Sequence, residues 1–214
     1  ACGSGSFLIV AYQYLLDWYR DQYIAEDPDK HCKGKNPKLR RIGERDYTLT
    51  VPERKRILLD HIYGVDIDTQ AVEVTKLSLL LKVIEGETAE TLGQNRLLFQ
   101  ERALPDLDKN IKCGNSLIGP DYYTGQQTDA FDTEEMFRVN AFDWRTEFSF
   151  IAKEGGFDAV IGNPPYGFVF SKTDLPYLTK NYSAFSSVQD GYVAFIEKSH
   201  ELVRDNGRFG FIVP

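Results

Sequence analysis

The stretch FDAVIGNPPY, residues Phe157–Tyr166, decides how this chain folds. Its first six residues, Phe157–Gly162, form a short apolar run that is typical of a strand in a buried sheet. Asn163, Pro164 and Pro165 follow at once, and two successive prolines force the chain to turn sharply. We therefore predict a strand over the apolar run, with a rigid turn at its carboxyl end.

Strands alternate with helices along the rest of the chain. Helices are predicted over residues 7–23, 71–84, 142–153 and 192–203, and further strands over residues 62–68, 110–115 and 209–213. Asp205-Asn206-Gly207 is expected to end the last helix, and the strand after it is expected to be buried. Such alternation is typical of the α/β class, in which a mostly parallel sheet carries helices on both faces. Because the Gly-rich turn at residue 1 has no strand before it, we expect a core truncated at both ends, with the first strand absent.

The composition is that of an ordinary globular protein of 214 residues, with 42% hydrophobic and 27% charged residues. No apolar run approaches the ~20 residues that a membrane-spanning helix needs, so the sequence argues against a membrane protein. The three cysteines, Cys2, Cys32 and Cys113, share no ligand spacing, which disfavours a zinc site and a disulfide framework. We therefore expect a cytoplasmic protein without a metal site.

Charge is segregated along the chain, although the net charge is −7. The segment from about residue 27 to residue 56 concentrates basic residues, with ten Lys and Arg against three acidic residues between Lys30 and Arg56. Its Gly and Pro residues favour a surface loop or a short excursion between core elements. This basic segment is either a phosphate-contacting surface or a solvated loop without a partner.

The chain begins with Ala1-Cys2-Gly3-Ser4-Gly5-Ser6, directly before a predicted helix. Two glycines let a backbone pass close to a ligand, and a helix start directs N–H groups at a negative group, but such a fragment is also a common turn. Asp66 ends the next predicted strand, where an acid can accept the hydroxyls of a ribose, and Asp68 is assigned to the cap of the helix that follows. The interval of about 60 residues is too long for an NAD fingerprint unless the basic segment is an insertion.

The turn after the predicted strand offers hydrogen-bond acceptors. An exocyclic amine could donate one N–H to the Asn163 side-chain oxygen and the other to the Pro164 carbonyl, and Tyr166 offers a flat face for a ring. Held in that way, the nitrogen lone pair turns toward an electrophile. The alternative is a Pro-Pro turn whose Asn caps a neighbouring element.

Five segments together resemble the S-adenosylmethionine-dependent DNA adenine-N6 methyltransferases. They are ACGSGSF at Ala1–Phe7, GVDID at Gly64–Asp68, CGNSL at Cys113–Leu117, FDAVIGNPPYG at Phe157–Gly167 and GRFGFIVP at Gly207–Pro214. Their order is similar to that of enzymes whose target-recognition domain follows the catalytic core, including the methylase parts of single-chain type II restriction-modification enzymes. The resemblance implies a Rossmann-like methyltransferase core. Residues 1–214 would then be part of a catalytic domain, with the basic insertion at about 27–56 and without the target-recognition domain.

The resemblance also implies the site. The expected S-adenosylmethionine contacts are Ala1, Cys2, Gly3, Gly5, Asp66, Ile67, Asn115 and Asn163. The expected catalytic residues are Asn163, Pro164, Pro165 and Tyr166. Asn163 and Pro164 would orient the target N6, and Tyr166 would stack on the flipped adenine. Asn115 departs from the family pattern, because it stands where an acid usually hydrogen-bonds the cofactor adenine.

The implied reaction is direct methyl transfer to the N6 of an adenine in double-stranded DNA, which the full-length protein would bind. The base must leave the duplex to be reached, and the transfer requires no metal or covalent nucleophile. Two alternatives stay open. One is a different planar nitrogen acceptor, such as a protein glutamine or an RNA base, and the other is a non-catalytic fragment of such an enzyme.

The segment Phe168–Phe185 is rich in aromatic residues among polar ones. It is expected to be either a mobile lid beside the target pocket or a patch for another domain.

Overall fold

The computed structural model describes residues 2–87, 105–124, 133–165, 167, 170–188 and 190–213. These residues form two compact units. The larger unit takes its described residues from Ala1–Gly3, Val65–Val72 and Lys112–Pro214, and the smaller unit takes them from Ser4–Gly64 and Glu73–Ile111.

Single helices or groups of helices separate most of the strands in the described parts of the chain. The helices are α1 (Ser6–Glu26), α2 (Pro28–His31), α3 (Val51–His61), α4 (Thr69–Ile84), α5 (Thr133–Val139), α6 (Trp144–Glu147), α7 (Phe150–Glu154), α8 (Leu175–Asn181), α9 (Ser183–Val188) and α10 (Gly191–Leu202). The strands are β1 (Leu39–Arg41), β2 (Tyr47–Leu49), β3 (Gly64–Asp66), β4 (Ile111–Cys113), β5 (Phe157–Gly162) and β6 (Val203–Phe211). A 3₁₀ turn at Pro120–Tyr123 follows β4. The predicted α/β class is confirmed.

The strands pair two by two among the described residues. β5 and β6 run parallel, and β1 and β2 form an antiparallel hairpin in which Leu39 faces Leu49. β3 pairs with β4, and the hydrogen bonds Gly64 N to Asn110 O and Gly114 N to Asp66 O advance in the same direction along both strands. The structure therefore shows small, mainly parallel sheets.

The smaller unit is built around α1. Its residues Leu8, Tyr12, Leu16 and Tyr23 are buried at helical spacing, as the sequence predicts for a helix with one apolar face. Ile57 of α3 is completely buried in the same unit. The basic segment is more regular than a loop, because it contains the β1–β2 hairpin and the start of α3. Burial of Leu39 and Leu49, one on each strand, explains that order.

The helix predicted over 142–153 is divided into α6 and α7. Asp143 accepts hydrogen bonds from the N–H groups of Arg145 and Thr146 and so caps α6, which begins at Trp144. Phe148 lies between the two helices and is 2% exposed. Burial of this ring therefore interrupts the helix that the apolar spacing predicted.

The end of the chain differs from its prediction in two respects. Helix α10 ends at Leu202, and β6 already begins at Val203, so Asp205-Asn206-Gly207 lies within the strand and not at the helix end. Phe157 pairs with Val203, whereas Ala159 pairs with Arg208. The register therefore shifts between these two pairs, and the additional residues form a bulge in β6. The expectation of a buried last strand is wrong, because most of β6 is exposed, including Phe209 at 45%.

Candidate functional site

Asp66 holds the loop at Gly3 against the carboxyl end of β3 by a hydrogen bond. Its Oδ2 accepts a hydrogen bond from Gly3 N at 2.8 Å, and its Oδ1 accepts one from Asp68 N at 3.0 Å. Cys2 N donates to the carbonyl of Val65 at 3.1 Å. Asp66 is only 6% exposed, so these contacts replace water around a buried carboxylate. Each carboxylate oxygen keeps a further lone pair for a ligand hydroxyl.

Glycine is suited to positions 3 and 5 of the loop for different structural reasons. Gly3 has φ +55°, a backbone conformation that favours glycine. A Cβ added there would meet no atom within 4 Å, so the space beside its Cα is open. Gly5 has φ +81° and precedes α1, and a Cβ there would lie 2.8 Å from Cγ2 of Thr75. Ala1, a predicted cofactor contact, lies outside the described residues.

Ile67 and Asp68 follow Asp66 at the strand end. Asp68 Oδ1 accepts from Gln70 N at 2.8 Å, which confirms the predicted helix cap at the start of α4. The Ile67 side chain is 50% exposed, and its carbonyl accepts a weak hydrogen bond from the Cys113 thiol at 3.5 Å. An exposed apolar side chain beside the acid can pack against a flat base.

The end of β4 lies beside that of β3. Gly114 N donates to the Asp66 carbonyl at 2.8 Å, and a Cβ at Gly114 would come within 2.4 Å of the Phe142 ring. Asn115 N donates to the Asn140 carbonyl at 2.7 Å, and Asn115 forms a parallel bridge with Ala141. The backbone of Asn115 is therefore held on both sides.

The side chain of Asn115 is also fixed. Its Oδ1 accepts hydrogen bonds from Leu117 N at 3.0 Å and from Ile118 N at 3.2 Å. Within the described residues, no hydrogen-bond partner is found for its Nδ2, and the residue is half-buried. The side-chain oxygen of Asn115 is therefore occupied by hydrogen bonds within the protein, whereas its amino group is available to donate to a ligand.

Two tyrosines hold the loop after Asn115, and sequence reasoning missed this role. Tyr182 OH donates to the Leu117 carbonyl at 2.6 Å, and Tyr177 OH accepts from Gly119 N at 3.1 Å while it donates to Asp121 at 2.7 Å. Burial, together with the Asp121 hydrogen bond, raises the pKa of Tyr177 to about 12. Both hydroxyls therefore stay protonated as donors.

The aromatic segment of residues 168–185 is thus neither lid nor patch where it is described. Tyr182 and Phe185 are at most 2% exposed and lie in one apolar core with Leu178. No periodicity in this segment distinguished core aromatics from surface ones. Phe168 lies outside the described residues.

The predicted NPPY turn follows β5. Asn163 and Pro165 are exposed and Pro164 is buried, whereas Tyr166 lies outside the described residues. A Cβ at Gly162 would lie 2.6 Å from the Phe211 ring, so the end of β6 packs on the residue just before Asn163. The turn is therefore supported by its prolines and by one ring from the neighbouring strand.

A charged network follows the turn. Arg138 Nη2 lies 2.8 Å from Oδ1 of Asp174, and Tyr122 OH donates to the same oxygen at 3.2 Å. Burial alone would raise the pKa of Asp174, but the hydrogen bonds from Arg138 and its other partners keep the pKa below its ordinary value. An ionised Asp174 therefore anchors the start of α8.

Several arginines of the basic segment form ion pairs or hydrogen bonds with other residues of the chain. Arg40 pairs with Glu87 at 2.9 Å, Arg54 Nη1 donates to the Glu85 carbonyl at 2.7 Å, and Arg56 pairs with Glu53 at 2.8 Å. A second group, Lys33, Lys35 and Arg45, is exposed and has no acidic partner in the described parts of the chain. The alternatives stated from the sequence therefore stay open for this second group.

The predicted site residues occupy the carboxyl ends of two parallel strand pairs. Gly3, Asp66, Ile67 and Asn115 lie at the end of β3 and β4, and Asn163 follows the end of β5. Among the described residues there is no His, Cys, Asp or Glu cluster that could hold a metal. Over the same residues, no helix has both the length and the apolar character to cross a membrane. None of the cysteines at 2, 32 and 113 forms a disulfide there.

Comparisons with known proteins identify the family of this chain. The family described as Eco57I restriction-modification methylase matches residues 60–214, which is more than half of the chain. The chain belongs to this family. The resemblance predicted from the five sequence segments is thereby confirmed at the level of the family.

Individual relatives carry similar descriptions. The chain is 35% identical to the type II restriction enzyme and methyltransferase RM.Eco57I of Escherichia coli, a match that covers 100% of the chain and 19% of the relative. It is 24% identical to the adenine-specific methyltransferase PglX of Streptomyces coelicolor, over 95% of the chain and 15% of the relative. A shorter match, 37% identical, covers 27% of the chain and 16% of the type II methyltransferase M.TthHB8I of Thermus thermophilus. The chain thus spans about a fifth of the length of the Escherichia coli relative. No solved structure matches the chain.

Proposed function

We propose that this chain carries the site for methyl transfer from S-adenosylmethionine to the N6 amine of a flipped adenine in DNA, within a restriction-modification system. The observation that carries the proposal is FDAVIGNPPY, with its acceptors directly after a parallel strand, in a chain of the methylase family. The adenine-specific description of one relative supports adenine as the acceptor.

The residues at the end of β3 and β4 fit S-adenosylmethionine. A buried carboxylate with free lone pairs suits two ribose hydroxyls, and the space around Gly3 suits a ligand that passes close to the backbone. Ile67 and Asn115 offer an apolar face and an amide to the base. When bound, the cofactor supplies an activated sulfonium methyl group.

The chain's own residues would orient the acceptor. Asn163 Oδ1 and the Pro164 carbonyl accept the two N–H bonds of the adenine amine, so its lone pair is directed at the methyl donor. Tyr166 stacks on the base outside the duplex, where it compensates for lost base stacking. Positioning and acceptor electrostatics suffice, and the proposed reaction uses no metal.

The proposed fold is the Rossmann-like methyltransferase core with helices on both faces of one sheet. Two parallel pairs and the parallel bridge at Asn115 support it, and the exposed apolar side chains Ile161 and Phe209 on β5 and β6 call for a covering partner. In this proposal residues 1–214 are part of the catalytic domain, and about residues 27–56 are its basic insertion. Lys33, Lys35 and Arg45 are the side chains of that insertion suited to DNA phosphates. We also propose a cytoplasmic location.

A methyl-transfer assay tests the proposed function. The protein is incubated with tritiated S-adenosylmethionine and with duplex DNA, RNA or a glutamine-containing protein substrate. We expect label in DNA only, in 6-methyladenine after digestion to nucleosides, and about 10²–10³-fold less label with Asn163→Ala. Label in RNA or protein would favour the other planar nitrogen acceptors, and no label with any substrate would favour a non-catalytic fragment.

A further inference from the structure

Asn115 has a defined amide orientation, although an amide can usually be turned either way. Leu117 N and Ile118 N lie 3.0 and 3.2 Å from one terminal atom of its side chain. Backbone N–H groups only donate, so the atom between them must be the oxygen. The opposite orientation would set donors against donors. Nδ2 is thereby directed away from these two N–H groups.

The backbone that carries Asn115 and the two N–H groups that bind its Oδ1 is itself held in place. Asn115 N donates to the Asn140 carbonyl at 2.7 Å, and Tyr182 OH holds the Leu117 carbonyl at 2.6 Å. Asn140 is kept in place in turn by Nδ2–H to the Cys113 sulfur at 3.4 Å. The amide is thus preorganised before any ligand binds.

Asn115 follows β4 at a strand end that neighbours the one carrying Asp66. β4 pairs directly with β3, and Gly114 N is bonded to the Asp66 carbonyl. A nucleoside whose ribose is bound by Asp66 extends its base along the sheet edge toward the neighbouring strand. The purine edge that points away from the sugar carries one donor, the 6-amino group, and one acceptor, N1. A side chain that offers an acceptor selects the amino group, whereas one that offers a donor selects N1.

We infer that Asn115 recognises the cofactor base by donating from Nδ2 to N1, and not by accepting from the 6-amino group. This inference rests on the proposed function, because it takes the ligand to be S-adenosylmethionine. An aspartate at this position would have the opposite preference, since a carboxylate offers only acceptors. Asn115 is then a residue that determines which edge atom of the base is recognised.

Binding of two modified forms of S-adenosylhomocysteine tests the inference. One is the 1-deaza form, in which N1 is replaced by C–H, and the other lacks the 6-amino group. Dissociation constants are measured by calorimetry for the wild-type protein and for Asn115→Asp, which keeps the size of the side chain and an oxygen for the Leu117 and Ile118 N–H groups.

The expected pattern is a crossover. The wild-type protein loses about tenfold in affinity for the 1-deaza form, as a lost hydrogen bond to a neutral group predicts, and less for the form without the amino group. Asn115→Asp shows the reverse order. For each protein we take the ratio of the dissociation constants of the two analogues. Contacts to the base that Asn115 does not make contribute equally to this ratio in both proteins, so they cancel when the two ratios are compared.

Two results would overturn the inference in distinguishable ways. If S-adenosylhomocysteine binds but the wild-type protein holds its 1-deaza form equally well, Asn115 does not donate to N1, and the proposed function stands. This comparison needs no variant, so it holds even if Asn115→Asp fails to fold. If the wild-type protein binds no S-adenosylhomocysteine, the proposed function fails and the inference fails with it.

Discussion

The carboxyl end of β3 and β4 and the carboxyl end of β5 and β6 differ in how they hold their functional groups. At the first end, backbone N–H groups already bind the side-chain oxygens of Asp66 and Asn115, and Asp66 is 6% exposed. At the second end, Asn163 is exposed. The first end is therefore preorganised by hydrogen bonds between distant parts of the chain, and at the second end two successive prolines restrict the backbone.

This difference has a functional consequence. A group that binds a cofactor must be ready in the free protein, because disorder there lowers the affinity. An acceptor that acts on a flipped base needs to be reachable from outside, which an exposed turn permits. The two ends are expected to respond differently to substitution.

Asn163→Ala is expected to have the largest effect. Loss of an acceptor that acts on the reacting amine should lower kcat by about 10²–10³, as for other preorganised contacts to a reacting group, and change the cofactor dissociation constant far less. Turnover is measured by tritium transfer to DNA, and cofactor affinity by calorimetry. Asn181→Ala, at an exposed asparagine of α8, is the matched control and should change neither value. Equal losses in turnover and affinity with Asn163→Ala would mean that the two ends are not functionally distinct.

Asp66→Ala should act on cofactor binding instead. It removes a charged acceptor and the anchor of Gly3, so we expect the dissociation constant to rise about 10- to 100-fold. Asp68→Ala, two residues further on, is the control. It should leave the affinity unchanged and cost about 1 kcal/mol of stability as a lost helix cap. A similar loss of affinity in both variants would contradict the assignment of Asp66 to the ribose.

Gly114→Ala tests how tightly the first end is packed. A Cβ there would lie 2.4 Å from the Phe142 ring, and we expect the free energy of unfolding to fall by about 1–3 kcal/mol. Gly210→Ala, in β6, is the matched change at the second end. Its Cβ would meet no atom within 4 Å, so stability should change by less than about 1 kcal/mol. Urea unfolding measures both, and equal destabilisation would remove the packing difference between the two ends.

The smallest expected effect is a loss of folding stability at acidic pH. The pKa of Asp174 is held below its ordinary value by its hydrogen bonds from Arg138, so the ionised form stabilises the folded state. That contribution is complete above about pH 4, the ordinary range of an aspartate, and is lost as the pH falls through the lowered value. Arg138 is partly exposed, so the loss should be about 1 kcal/mol. Asp174→Asn should lack this part of the pH dependence. Identical acid profiles for the two proteins would show that the network does not anchor α8.

Several features were predictable because they depend on neighbouring residues. The strand Phe157–Gly162 follows from an apolar run that ends in two prolines, and it is observed with its end directly before Asn163. The Asp68 cap follows from an acid placed before a helical pattern, and its hydrogen bond is present. The family also followed from short segments that stand in a typical order.

Other features were mispredicted where distant residues decide. Apolar composition indicated that the last strand is buried, yet Phe209 is 45% exposed, because burial depends on what covers a strand and not on the strand itself. The spacing over residues 142–153 predicted one helix, but Phe148 is buried between two. Tyr182 belongs to the segment that was expected to be a lid or a patch, yet it lies in the core.

The sequence by itself determined the α/β class, the position of the NPPY turn and the membership of a methylase family, since each is encoded in short local patterns. Only the tertiary structure decided which polar atoms remain available to a ligand. Gly3 and Asp66 are 63 residues apart, and Tyr182 and Leu117 are 65 residues apart, yet these pairs hold the loop at residue 3 and the loop after Asn115. The direction of the Asn115 amide likewise depends on a loop fixed by such contacts. Hydrogen-bond occupancy depends on how the folded chain brings distant groups within about 3 Å, and no local pattern records that.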